Sequence, residues 1–317
     1  MSKTNSNRRL TRAADAIIEA MEERRLLSAV IVSGVLTVTG SAGDDTIALR
    51  KTTTSIIVTI DGHSQSFASR KVRSIRVEAG RGNDSIKDGV NLPSTLLGSG
   101  GRDSITGGAA DDSINGGSGP DTLNGGKGDD FIDGSTGDDS VIGGWGDDDL
   151  HGGRDDDSIT GGSGDDSING NSGNDDLAGG IGDDSVDGDI GDDSLLGDAG
   201  DDSLEGGEGS DDLSGGLDND TLLGDAGDDR LLGDDGTDSL DGGDDNDDLD
   251  GGAGTDSIHG GGGNDDDLDS SDSLDDDSPE DEGDNGFDDN GGHDGLTLSR
   301  ATDEILLGTT SLDVFAR

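Results

Sequence analysis

From Gly98 to Leu268 the chain holds a nine-residue register without one insertion or deletion, and nothing else in it constrains the fold so tightly. Nineteen consecutive units fit, with GGSGDDSIN (Gly161–Asn169) and GGKGDDFID (Gly125–Asp133) as representative copies. The first place is Gly in all nineteen, and the sixth is Asp in all nineteen. The fourth is Gly in fifteen, the exceptions being Ala110, Asp155, Asp218 and Asp245. The eighth is Ile, Leu or Val in eighteen, from Ile105 to Ile258; the last copy has Asp267 there and Leu268 one place late. A fixed short period of this kind marks a repeat architecture, in which each unit buries its apolar side only against its neighbours.

Each place has a physical reading. Glycines at the first, often the second, and the fourth places permit φ > 0 and close backbone approach, as a tight repeated turn requires. The closing triplet, such as Ser167-Ile168-Asn169, alternates polar, apolar, polar, which is a short strand with one side chain inward and two outward. One unit therefore supplies a turn and a strand, and two units one coil with two opposed strands. The fold class is all-β, a parallel β-solenoid in which odd copies (Ile105, Leu123, Val141) line one sheet and even copies (Ile114, Ile132, Leu150) the other. About nine coils stacked near 4.8 Å apart give a slab roughly 45 Å long.

Charge sets the second constraint. The chain has 75 acidic against 20 basic residues, a formal net charge of −55, and only 26% hydrophobic residues. Residues 1–97 carry net +4, residues 98–268 net −46 and residues 269–317 net −13. A polyanion of this size is repelled by nucleic acid and by anionic lipid surfaces, so neither is expected as a partner. No apolar run approaches the roughly 18 residues of a membrane span. With no Cys, disulfides, thiol catalysis and thiolate metal sites are excluded.

One aliphatic side chain per nine residues is too little burial to offset the ordering of the backbone. The sixth-place carboxylates, stacked in columns, would also repel one another. The repeat block is therefore not expected to fold metal-free. Divalent cations remove both problems, and a donor set of carboxylate and backbone carbonyl oxygens, with no His or Cys in the pattern, selects Ca²⁺ over transition metals. Mg²⁺ suits the site less, because it demands strict octahedral geometry and retains water.

The motif G-G-x-G-x-D-x-U-x resembles the calcium-binding nonapeptide of the repeats-in-toxin (RTX) family. That resemblance implies a right-handed parallel β-roll with multiple Ca²⁺ ions between successive turns, held by the sixth-place Asp and by turn carbonyls. The implied ligands are Asp103, Asp112, Asp121, Asp130, Asp139, Asp148, Asp157, Asp166, Asp175, Asp184, Asp193, Asp202, Asp211, Asp220, Asp229, Asp238, Asp247, Asp256 and Asp265. Roughly fifteen such ions would add about +30 and offset most of the block's charge. Asp155, Asp218 and Asp245, standing where Gly is expected, put the geometry of their turns in doubt.

Two isolated upstream units match the same pattern: Gly40–Ala48, with Asp45, and Ala79–Lys87, with Asp84, which join the ligand candidates. Around them Val35–Thr39, Thr46–Leu49, Ile56–Ile60, Gln65–Phe67 and Val72–Val77 read as strands. Residues 34–97 are thus expected as β-rich coils capping the roll, with Leu96 continuing the inward column; a small independent β-domain is the alternative. In the N-terminal segment, residues 1–33, residues 8–27 have helical character. Met21-Glu-Glu-Arg-Arg-Leu-Leu-Ser-Ala29 there resembles the LEPR-x-LL segment of exported planctomycete proteins, with Met21 and Glu23 departing from it. A plain amphipathic helix is the other reading. Residues 269–295 keep the acid and lose the register, as an acidic disordered linker would. The tail, residues 296–317, regains apolar residues and reads as a secretion signal or a terminal strand.

No enzyme motif is present. None of His63, His151, His259 or His293 opens an H-E-x-x-H, no G-x-S-x-G occurs, and no glycine run leads into G-K-[ST]. The chain is expected to be no enzyme but an extracellular or cell-surface calcium-binding protein that folds on calcium and serves a structural or interaction role toward an unknown surface partner. The alternative is the secretion or targeting module of a toxin or extracellular hydrolase whose catalytic part lies outside this chain.

Overall fold

A computed structural model describes residues 28–268. The helical and sorting-like readings of residues 8–27, the acidic stretch from 269 and the tail lie outside the described residues. Within each repeat the seventh to ninth places and the first three places of the next copy make one six-residue strand, as in Ser140–Trp145 and Ser167–Ser172. Strands of alternate copies pair in parallel with an offset of eighteen residues: Ile114 stands opposite Ile132, Ile132 opposite Leu150, Leu123 opposite Val141. Odd and even copies accordingly separate into two sheets. Their strands run in register to Asp266–Leu268 in one and Ser257–Gly262 in the other.

The architecture is a parallel β-solenoid, as the period dictates. Its core is one column of eighth-place side chains per sheet, from Ile105 and Ile114 to Leu240 and Leu249, all buried. First-place glycines turn inward beside them and add no side chain, so the interior stays thin and the sheets close together.

Two turn conformations repeat. The second and fourth places take φ > 0: Gly162 is at 122° and Gly164 at 130°. Where Asp replaces the fourth-place Gly, at Asp155, Asp218 and Asp245, the backbone keeps the left-handed region at φ 74°, 78° and 77°. Asp adopts that region more readily than other non-Gly residues, so the doubt raised by the sequence over these turns does not hold. The irregular turn is the one with Ala110. Strand Ser104–Thr106 stops after three residues there, and the next strand begins at Ser113. Ala has no polar side chain to support φ > 0.

The upstream strands continue both sheets rather than forming a separate domain. Thr46–Lys51 and Ser85–Gly89 pair in parallel and lead to Ser104–Thr106. Val35–Thr39, Ser74–Arg81 and Ser94–Gly100 do the same on the other side, with Leu96 opposite both Val77 and Ile114. The end of the solenoid then turns antiparallel. Thr46–Lys51, Ser55–Ile60 and His63–Ala68 form a meander, and Ser28–Val32, a strand the sequence reading did not assign, folds back on Val35–Thr39.

Candidate metal centre

The sixth-place Asp closes each turn, and its two carboxylate oxygens have different surroundings. Oδ1 accepts the backbone N–H of the sixth-place Asp one coil earlier: Asp148 N–H donates to Asp166 at 2.8 Å, and Asp166 N–H to Asp184 at 2.8 Å. One such ladder runs through the odd copies from Asp103 and Asp121 to Asp265. The other runs through the even copies from Asp112 and Asp130 to Asp256. Asp84 N–H donates to Asp103, and Asp45 N–H to Asp84, so both upstream candidates belong to the odd-copy ladder.

Oδ2 is a different matter. In Asp84, in Asp103 and in the sixth-place residues from Asp121 to Asp256 it is buried without any hydrogen-bond partner. It points at the first-place Gly of its own unit, where a β-carbon would crowd it. The carbonyl oxygen of the first-place Gly one coil on reaches the same spot: a β-carbon on Gly188 would lie 2.5 Å from Asp193 Oδ2 and 2.6 Å from Gly206 O. The sequence reading credited glycine with both φ > 0 and close approach. The structure assigns close approach to all three places, against the carboxylate at the first and against the backbone of the preceding coil at the second and fourth, and φ > 0 to the second and fourth alone.

Two candidates stand apart. Asp45 Oδ2 accepts Ser41 N–H at 2.6 Å. Asp112, in the turn with Ala110, accepts Ser94 N–H on Oδ1 at 2.8 Å and Gly108 N–H on Oδ2 at 2.7 Å. Both carboxylates are satisfied by the main chain, whereas their neighbours are not. Sequence gives no sign of this beyond Ala110 itself.

Burial pushes these carboxyls up. Asp121, Asp130, Asp166, Asp193 and Asp220 are raised to about 7 and Asp157 to about 8, by burial first; the donated N–H opposes the rise and neighbouring carboxylates add to it. An unpartnered buried carboxylate oxygen needs a proton or a cation. In most turns the carbonyl oxygen of the first-place Gly one coil on lies beside it, an all-oxygen setting that fits a hard cation of the calcium type. Among the described residues no three His, Cys, Asp or Glu side chains converge on one point. Each turn instead offers one carboxylate with main-chain carbonyls, a donor set that side-chain spacing alone does not reveal.

The fifth-place residues form an exposed counterpart, with Asp165 N–H donating to Asp147 Oδ1 at 3.1 Å. His151 stands at an outward ninth place, 3.1 Å from Asp149 and stacked near Phe131, with no part in the turns.

These features define a parallel β-roll whose turns set buried, unpartnered carboxylate oxygens beside main-chain carbonyls. The model of the RTX calcium-binding nonapeptide repeat matches in overlapping segments from residues 93–123 to 241–266, more than half of the chain. The chain belongs to that family and is a calcium-binding repeat protein. No curated protein matches it.

The pH dependence has a definite sign. Between about pH 4, where an unfolded Asp ionises, and about pH 8, the metal-free roll holds protons that the unfolded chain has lost. Its stability therefore falls as pH rises through that window. A calcium-free coil has already lost these protons above about pH 5, so folding by calcium near pH 6.5 is expected to release almost none, whereas a preformed protonated roll would release them. Calorimetric titration at pH 6.5 in two buffers of different ionisation enthalpy measures the protons released; heats that differ between the buffers would show a calcium-free roll already folded and protonated.

Proposed function

We propose that the chain is a secreted or cell-surface protein whose roll folds when calcium fills the turns, with a structural or interaction role and no catalysis of its own. The observation that carries this is the row of buried, unpartnered Oδ2 atoms from Asp84 to Asp256. Ordered carboxylates without counter-charge make sense where millimolar calcium is present. Extracellular calcium modules, with dissociation constants of about 10⁻⁴–10⁻³ M, fill outside a cell and stay empty at cytosolic levels. An empty, unfolded chain is the form that passes an export channel.

Asp166→Ala combined with Asp184→Ala removes neighbouring carboxylates of one ladder. The calcium midpoint for folding is expected to rise several-fold and the bound-calcium count to fall. Asp112→Ala, whose carboxylate is already satisfied by Ser94 and Gly108, is expected to leave the count unchanged. Equal calcium loss in all the variants would refute the ligand assignment. The readouts are equilibrium dialysis and far-UV circular dichroism.

A further inference from the structure

The two sheets present different surfaces. On the even-copy sheet, carboxylates gather at Asp187, Asp189, Glu205 and Asp225. Asp187 and Glu205 are pushed above the ordinary carboxylate range, by burial first and then by each other's neighbours. The odd-copy sheet has five successive strands that are nearly free of charge: Ser140–Trp145, Ser158–Ser163, Asp176–Ile181, Ser194–Ala199 and Asp212–Leu217.

Two columns cross those strands in register. The ninth places read Ile142, Thr160, Ala178, Leu196 and Ser214; the third places read Trp145, Ser163, Ile181, Ala199 and Leu217. Trp145, Ile181 and Leu217 are 61%, 65% and 51% exposed. The carboxylates on these strands are Asp176, Asp198 and Asp212, and Arg230 bridges Asp212 at 3.0 Å. Large and small side chains alternate along the third-place column, so the large ones recur every second strand, about 9.6 Å apart, with notches at Ser163 and Ala199.

We propose that a second copy of this chain docks on this face, sheet against sheet, about a two-fold axis. An isologous contact places the same column on both sides. With the columns antiparallel and offset by one strand, Trp145 and Ile181 of one copy enter the notches at Ala199 and Ser163 of the other, and Leu217 lies at the rim. Packed sheets lie about 10 Å apart, close enough for such interdigitation. Charge favours this face over the opposite one: two rolls of net −46 meeting by their even-copy sheets would bring Asp187, Asp189, Glu205 and Asp225 together. Five strands of six residues span roughly 24 by 20 Å, about 480 Å² per copy. Two such faces bury about 1,000 Å², the lower end for a specific contact, so the dimer is weak and concentration-dependent.

The proposal rests on the calcium-folded roll described above. Sedimentation velocity of the full chain in millimolar calcium, over a hundredfold concentration range, is expected to show a monomer–dimer equilibrium. Salt is expected to strengthen it by screening the remaining charge. Ile181→Asp should raise the dimerisation concentration at least tenfold, about 1.4 kcal/mol. Ile190→Asp, equally exposed on the other sheet, should not shift it. Circular dichroism of the same samples separates the failures. Samples with full β-structure that stay monomeric, or an effect of Ile190→Asp without one of Ile181→Asp, overturn the docking face; coil in calcium overturns the folding reading and the dimer with it.

Discussion

Chelation of calcium is expected to convert the repeat block from β-structure to coil, and restoring millimolar calcium to rebuild it cooperatively. A ligand bound only by the folded state stabilises by RT ln(1 + [L]/Kd), about 0.4–1.4 kcal/mol per site when calcium is one to ten times Kd. Some fifteen sites supply about 6–21 kcal/mol, as much as the entire stability of an ordinary domain. Removing them leaves the buried carboxylates, Asp121 to Asp247, facing one another in two ladders with only a proton to neutralise them. Magnesium is expected to substitute poorly. Far-UV circular dichroism follows the strands. Trp145 reports on coil stacking, because Lys127, eighteen residues earlier, lies 3.3 Å over its ring only when adjacent coils are in place. Full β-structure in chelator would overturn the mechanism.

A strict period transmits most of the fold to the sequence. The eighth-place aliphatics fix which side faces in, and the even count of units per coil fixes which copies share a sheet. Ile105 with Leu123 and Ile114 with Ile132 follow from spacing alone. Even Leu96, without a turn Asp of its own, is legible, because inward places persist where ligands lapse. The harder features depend on atoms that every residue has. Beside the Asp oxygen in most turns stands a backbone carbonyl, which no motif displays. Whether Asp112 keeps a free oxygen depends on where Gly108 N–H points, and this follows from Ala110 failing to hold a left-handed turn. The antiparallel return of Ser28–Val32 onto Val35–Thr39 comes from the need to cover a solenoid end, a demand of the assembled sheet rather than of that segment.

The sharpest single-residue effect is expected at a first-place glycine, with a second-place glycine as its control. Gly188→Ala adds one carbon that would lie 2.5 Å from Asp193 Oδ2 and 2.6 Å from Gly206 O, inside the contact distance of both. Both neighbours are held: Asp193 Oδ1 accepts Asp175 N–H at 2.7 Å in its ladder, and Gly206 lies within the strand Ser203–Glu208. Overpacking of this kind costs about 1–3 kcal/mol even among deformable apolar groups. Here it also displaces the carboxylate oxygen assigned to calcium. Because neighbouring coils support one another, the loss should spread as reduced cooperativity along the roll. Gly207→Asn tests the other role of glycine. Gly207 has φ 108°, yet Asp189 and Asp225, its partners in the adjacent strands, occupy the same place at φ 69° and 71°. A β-carbon on Gly207 would lie 2.3 Å from Asp189 O, so Asn fits only if the backbone moves to the φ near 70° of Asp189 and Asp225, and the expected loss is smaller than at Gly188 because no carboxylate is displaced. Calcium titrations of the two variants should therefore separate, with the larger rise in midpoint and the shallower transition for Gly188→Ala. The reverse order would mean that room for the carboxylate is not what keeps Gly in all nineteen first places.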